Sequence, residues 1–261
     1  MTKIQDPSAR VGQAVQLIDM VFPGDANHHG TLFGGIALAH MDKVAFLAAS
    51  RHGRAPFVTA SSEKIDFAAP AFAGEMVEVT GRVVRVGTSS LEVEVELVAE
   101  VPVSGERRLC TRGCFTLVAR KGPDTLLPLP PLVLDPTSKA EGVLRLAEMV
   151  FPGQTNHYGT LYGGDALRMM GKAAFIAATR RARAVLVMAS SERIDFSAPI
   201  GEGDMVELVA EVTKTGRSSV DVTVELWSEA LLSGARRHAA TARFTLVAVD
   251  EQGKPKAIQL A

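Results

Sequence analysis

The chain has 261 residues, 47% of them apolar and 22% charged, and its 28 basic side chains are balanced by 29 acidic ones for a net charge of −1. That length and composition supply one large domain or two ordinary ones with a sizeable core. The near-neutral balance argues against a nucleic-acid binder working through a global basic field and leaves room only for local basic patches facing an anionic ligand.

Residues 1–12 are polar and mixed in charge, unlike a secretory leader, which needs an apolar core behind a basic start. No stretch carries about 18 consecutive apolar residues, so no membrane span or membrane partner is expected. An initial strand is expected over residues 14–20. Residues 35–49 are rich in Ala, Leu and Met with no internal Pro, which predicts a helix. It is apolar nearly all round, with His40, Asp42 and Lys43 as its polar side chains, so it is expected to be buried. Residues 76–86 are rich in β-branched residues and read as a strand, Gly87-Thr88-Ser89-Ser90 as a turn, and the strict alternation of residues 91–97 as a half-buried strand. Residues 109–119 read as a further strand. Cys110 and Cys114 both fall on it, where their Cα atoms stand about 13 Å apart, too far for a disulfide. Reduced thiols of this kind suit a cytoplasmic protein. Residues 121–141 form a Pro-rich linker, with Pro123, Pro128, Pro130 and Pro131 excluding a helix.

Beyond the linker the pattern returns. Residues 20–35 and 149–164 agree at 12 of 16 positions, and their asparagines Asn27 and Asn156 differ by 156 − 27 = 129. The same offset carries Ser61-Ser62-Glu63 onto Ser190-Ser191-Glu192, Gly87 onto Gly216, and residues 115–119 onto 244–248. The chain is therefore a duplication, with an N-terminal domain over residues 10–120 and a C-terminal domain over residues 142–250. Each is of the α+β class, one helix followed by several antiparallel strands. Two long repeats on a tether describe a pseudo-twofold pair rather than a solenoid.

Asn27, two glycines seven and eight residues on (Gly34, Gly35) and an acid at fifteen (Asp42), followed by Ile65-Asp66-Phe67 and the Gly87 turn, resemble the hotdog-fold acyl-CoA thioesterases. The tandem arrangement resembles the double-hotdog, cytosolic or brain-type acyl-CoA hydrolases. The resemblance covers nearly the whole chain apart from its linker and ends. It implies a long central helix wrapped by an antiparallel sheet in each domain. It also implies hydrolysis of acyl-CoA to a free acid and coenzyme A without a cofactor, and a homotrimer of double hotdogs. In such families the site lies between two hotdogs. One gives the Asn and a backbone N–H at the glycine pair, and the other gives the acid, often with a Ser or Thr on the next strand.

The chemistry explains these residue types. A thioester carbonyl under attack becomes an oxyanion. A helix start offers unpaired N–H groups and a positive dipole end, glycines allow close approach, and an Asn amide adds a donor. The acid acts as general base on water or attacks directly as nucleophile, and the sequence leaves both routes open. The halves differ here, because 42 + 129 is Gly171 and 59 + 129 is Met188. Only the pair Asn156 with Asp42 is complete across the two halves. One working site is expected, from Asn156, Gly163 and Gly164 of the second half with Asp42 and Thr59 of the first. Asn27, Gly34, Gly35 and Gly171 then mark a degenerate second site. The alternative pairs Asn27 with Asp42 inside one half.

Coenzyme A carries phosphates, so a basic rim is expected. Its candidates are Arg54, Arg85, Thr88, Ser89 and Ser90 in the first half and Arg183, Arg217, Ser218 and Ser219 in the second, with Arg51, Arg82, Arg180 and Lys214 as further cations. His28, His29 and His157 do not form a metal cluster at hydrolase spacing, and no metal is expected. Two other functions compete. A hotdog enoyl-CoA hydratase or dehydratase needs a His with an acid, for which His28 and His40 are available. A non-catalytic acyl-CoA sensor would bind without releasing thiol.

Overall fold

The computed structural model describes residues 14–120, 122, 125, 127–132 and 143–259. The readings of residues 1–12, of the domain start at residue 10 and of linker residues 133–141 lie outside the described residues. The first half forms β1 (Val15–Met20), α1 (Gly34–Gly53), β2 (Phe57–Ser62), β3 (Met76–Val86), β4 (Ser90–Glu100) and β5 (Arg107–Ala119). The second half forms β6 (Val143–Met149), α2 (Gly163–Ala182), β7 (Leu186–Ser191), β8 (Asp195–Phe196), β9 (Met205–Thr215), β10 (Ser219–Glu229) and β11 (Arg236–Ala248). Each sheet is antiparallel, with strand order β1-β3-β4-β5-β2 in one and β6-β9-β10-β11-β7 in the other, where β8 also pairs with β11.

Each sheet curls around its own helix, which is the expected hotdog arrangement. The alternation in β4 does what it predicts: Leu91, Val93, Val95 and Leu97 are buried against α1, while Glu92, Glu94 and Glu96 face outward. A fully buried aliphatic side chain contributes roughly 1.5–3 kcal/mol, so one strand face anchors the helix. Gly81 in β3 lets that contact close, since a Cβ there would stand 2.7 Å from Val44 Cγ1. Cys110 and Cys114 are both free thiols on β5.

Helix α1 departs from its expectation at both ends. Its first turns carry exposed Gly35, Leu38 and Ala39, and only the later turns are fully enclosed. It also runs to Gly53 rather than stopping at Ala49. In this added turn the His52 ring meets Pro130 O at 2.9 Å and Arg51 meets Glu229, while Ser50 Oγ is buried with no hydrogen-bond partner among the described residues. Linker residues therefore pack on the first domain rather than standing off it. Leu129 is buried in its core, and its N–H donates to Thr88 O. Ile258 repeats this at the end of the second domain, donating to Arg217 O.

The two domains keep separate cores that interlock at the seam. Strands β1 and β6 lie side by side, Ile18 and Met76 belong to the second domain's core, and Ala147 and Met205 to the first's. Around this seam the ion pairs repeat with the offset of 129. Lys43 meets Glu148 and Lys172 meets Asp19; Arg51 and Arg54 meet Glu229, and Arg180 and Arg183 meet Glu100. Burial alone would raise the pKa of Glu78, but the hydrogen bonds and charges of Arg107 and Arg180 outweigh it and hold the carboxyl below its ordinary value. The stability this contributes is complete above the ordinary carboxylate value of about 4.3 and is lost as pH falls through the depressed value. The Glu78 contribution to the denaturation midpoint is therefore expected to be constant with pH above that value and to decline below it. Glu78→Gln should remove part of that acid-side fall, and an unchanged acid profile in the variant would contradict the assignment.

Candidate active site

Both helices start bare. Phe33 and Tyr162 occupy the N-cap positions, and no side chain caps either helix. The first N–H groups of a helix have no partner within it, so the glycine pairs present donors and the positive end of the dipole to whatever approaches. A Cβ at Gly35 or Gly164 would stand 2.6 Å from the exposed ring of Phe33 or Tyr162, so a larger residue there would have to displace that ring.

The preceding loop fixes each asparagine. Asn27 Nδ2 donates to Thr31 Oγ1 at 2.9 Å, and its Oδ1 accepts from the N–H groups of His29 at 2.9 Å and Thr31 at 3.3 Å. Asn156 does the same with Thr160 and Tyr158, at 2.9 Å, 2.9 Å and 3.3 Å. The oxygen is committed to the loop and one amide hydrogen to the threonine. The second amide hydrogen is left to serve as an external donor. This loop role, an Asx turn, and the donor role are compatible on the same residue.

Asp42 and Thr59 come together. A bulge between Thr59 and Ser61 in the β2–β5 pairing sets Thr59 beside α1, and its Oγ1 donates to Asp42 Oδ1 at 2.7 Å. In the second half the matching bulge sets Met188 against α2, with its methyl 3.1 Å from where a Gly171 Cβ would stand. The acid and the hydroxyl are therefore lost together. Lys43, the residue after Asp42, reaches Glu148 at 3.2 Å and lies 5.7 Å from the centre of the Phe151 ring. Both belong to the segment of the second half that leads into Asn156.

A cavity of about 260 Å³ adjoins the second donor end, lined by Thr160, Gly163, Ala166, Phe196 and Pro199 among others. The exposed aromatic rings around the helix starts are Phe33, Tyr162, Phe67 and Phe196; from sequence alone none of them had a role in the site, and Phe67 entered only through the Ile65-Asp66-Phe67 phrase. Their position next to the glycine pairs and in the repeated Ile-Asp-Phe phrase was the available signal. Burial holds the pKa of His40 below its ordinary value, against the opposing pull of Asp19. The side-chain partner of Asp42 is Thr59 and not a histidine, which disfavours the hydratase pairing.

Two of the rim candidates, Arg54 and Arg183, are held in ion pairs. Arg54 bonds Glu229 at 2.7 Å and Leu231 O at 3.3 Å, and Arg183 bonds Glu100 at 2.7 Å and Pro102 O at 3.3 Å. Arg51 and Arg180 are likewise engaged with acids across the domain seam. These arginines sit at the helix C-terminal ends, where buried acids of the opposite sheet hold them across the seam, and the Arg183 side chain remains 34% exposed. Arg85 stays at the surface in an ion pair with Glu92 at 2.7 Å. With Thr88 it lines a groove completed by Pro128, Leu129, Pro131 and Leu132. The backbone carbonyls of Ser89 and Ser218 accept from Ala119 and Ala248, which fixes both turns.

Comparison with known proteins agrees with this architecture. Residues 29–106 and 158–235 each match the Thioesterase superfamily, again 158 − 29 = 129 apart. The crystal structure of an acyl-CoA hydrolase from Agrobacterium tumefaciens superposes with a TM-score of 0.87 at 50% identity, covering 94% of this chain and 98% of that one. The cytosolic acyl coenzyme A thioester hydrolase of Mus musculus is 23% identical over 94% of this chain and 77% of its own length. An uncharacterized acyl-CoA thioester hydrolase of Bacillus subtilis is 43% identical over 41% of this chain and 62% of its own. The chain belongs to the thioesterase superfamily, as two hotdog domains in tandem of the cytosolic acyl-CoA hydrolase type.

Proposed function

We propose that this acyl-CoA thioester hydrolase works at one site per chain, built across the domain seam. Asn156 and the N–H groups of Gly163 and Gly164 polarise the thioester carbonyl. Asp42 Oδ2 activates water or attacks the carbonyl carbon, and Thr59 holds Oδ1. In the water route the proton passes to Asp42, the C–S bond breaks, and the thiolate takes the proton back to leave as coenzyme A with the carboxylic acid. The observation that carries the reading is the asymmetry: the Asp42–Thr59 hydrogen bond has as its counterpart Gly171 with Met188. The contacts of Lys43 with Glu148 and Phe151 support the crossed pairing. The chemistry is complete without a metal or cofactor, since the carboxylate supplies the base and the helix start the oxyanion donors.

The test compares Asn156→Ala with Asn27→Ala by thiol release from acyl-CoA. Asn156→Ala is expected to lose about 10²–10³ in kcat, the cost of one oxyanion donor, and Asn27→Ala to lose less than threefold. Loss confined to Asn27→Ala would reverse the assignment to a site within one half.

The remaining rim candidates, Arg85, Thr88, Ser89 and Ser90 with Arg217, Ser218 and Ser219, are proposed to receive the phosphates of coenzyme A. A trimer of chains is proposed because β2 beyond Phe57 and β7 beyond Leu186 are exposed throughout, Val58 and Val187 included. Light scattering at three chain masses is the expected result. The free thiols Cys110 and Cys114 support a cytoplasmic setting.

A further inference from the structure

We propose that Met188 closes the second cleft, so that each chain holds one acyl-CoA thioester rather than two. This rests on the reading of Asp42 and Asn156 as the working pair, and it concerns what fills the other cleft rather than what that cleft lacks.

The frame of the second cleft is intact. Asn27 is held by the same hydrogen bonds as Asn156, α1 starts on the same bare glycine pair as α2, and Lys172 reaches Asp19 at 2.9 Å as Lys43 reaches Glu148. If Gly171 had merely lost a carboxylate, a polar void large enough for water would remain beside it. Instead the flexible thioether of Met188 reaches into the space from the cleft mouth: the residue is 48% exposed, but its methyl stands 3.1 Å from the position of a Gly171 Cβ. Methionine is suited to fill such gaps. The contact also accounts for a glycine in the middle of α2, which costs about 1 kcal/mol relative to Ala: an alanine methyl would press on Met188. At the donor end of the same cleft the Phe67 ring stands 3.7 Å from the Cβ position of Gly34, whereas nothing lies within 4 Å of that position at Gly163. Phe196 is the same residue type as Phe67, so this difference is one of ring placement. Phe67 can swing aside, and Met188 is the element that must be replaced.

The test has two arms on the full chain. In the first, a ketone analogue with methylene in place of the thioester sulfur is titrated calorimetrically. Wild type is expected to bind one per chain, Met188→Thr two, and Gly171→Asp one. Two equivalents on wild type, or one on Met188→Thr, would overturn the proposal. In the second, thiol release is followed in an Asp42→Asn background. Gly171→Asp with Met188→Thr is expected to raise release at least tenfold, and Gly171→Asp alone to leave it unchanged; equal rescue by the single change would overturn the role of Met188. Should Gly171→Asp fold poorly beside Met188, the Met188→Thr titration decides alone. If Asp42→Asn itself keeps full activity, the catalytic reading fails while the binding arm still judges Met188.

Discussion

Asp42→Asn is expected to lower kcat by about 10²–10⁴-fold, the usual contribution of a positioned general base, with little change in KM. Asn has nearly the same volume and can still accept from Thr59 through its oxygen, so the fold and the local hydrogen bond survive while the basic or nucleophilic oxygen is gone. Thr59→Val should cost less. It removes a hydrogen bond to a carboxylate, worth about 1.5–3 kcal/mol, of which the transition state loses only the part that orients Oδ2, so a loss of roughly tenfold is expected. The order of the two effects is itself diagnostic. If Thr59→Val were as damaging as Asp42→Asn, the hydroxyl would have to act on water or substrate directly. If Asp42→Asn stayed within fivefold of wild type across short and long acyl-CoAs, the acid would lie elsewhere and the present site would be wrong.

The parts of this site legible in the sequence were those the repeat exposed. A duplicated chain carries its own comparison, and the pairs Asp42 with Gly171 and Thr59 with Met188 stand out because their surroundings are otherwise kept. The helices and most strands were legible for a different reason, since periodicity reports which face is buried, as in β4. Periodicity did not reveal the exposed first turns of α1. A helix apolar all round reads as buried, but apolar surface facing a ligand or a second chain has the same composition. The partners of the arginines were hidden in the same way. Arg54 and Arg183 look like surface cations in sequence. Only the fold shows that Glu229 and Glu100, the last residues of β10 and β4, come from the opposite domain to meet them. The contacts within each half leave a sequence trace as alternation, whereas contacts between halves do not.

That seam carries the second large expected effect. Glu100 is fully buried, accepting from Arg180 at 2.6 Å and Arg183 at 2.7 Å, with Arg107 at 3.4 Å. Glu100→Gln keeps the shape but leaves Arg183 with the Pro102 carbonyl and Arg180 with Glu78, so cationic charge gathers where its main counter-charge has gone. Breaking one partner of a buried pair typically costs about 3–5 kcal/mol, a large share of the roughly 5–15 kcal/mol that holds a domain folded. Denaturant unfolding should show this as a lower midpoint. Glu229→Gln, its counterpart beside Arg51 and Arg54, should show a loss of similar size. Glu92→Gln is the control: its pair with Arg85 is exposed, and such pairs contribute about 0–1 kcal/mol. The seam also fixes where α1 and α2 stand relative to the opposite loops. On the crossed assignment proposed above, in which Asp42 and Asn156 approach the substrate from different domains, turnover in Glu100→Gln should therefore fall even at temperatures where the variant remains folded. A Glu100→Gln protein as stable as the Glu92→Gln control would mean that apolar packing of Ile18, Met76, Ala147 and Met205 alone joins the domains, with the ion pairs merely tolerated at its edge.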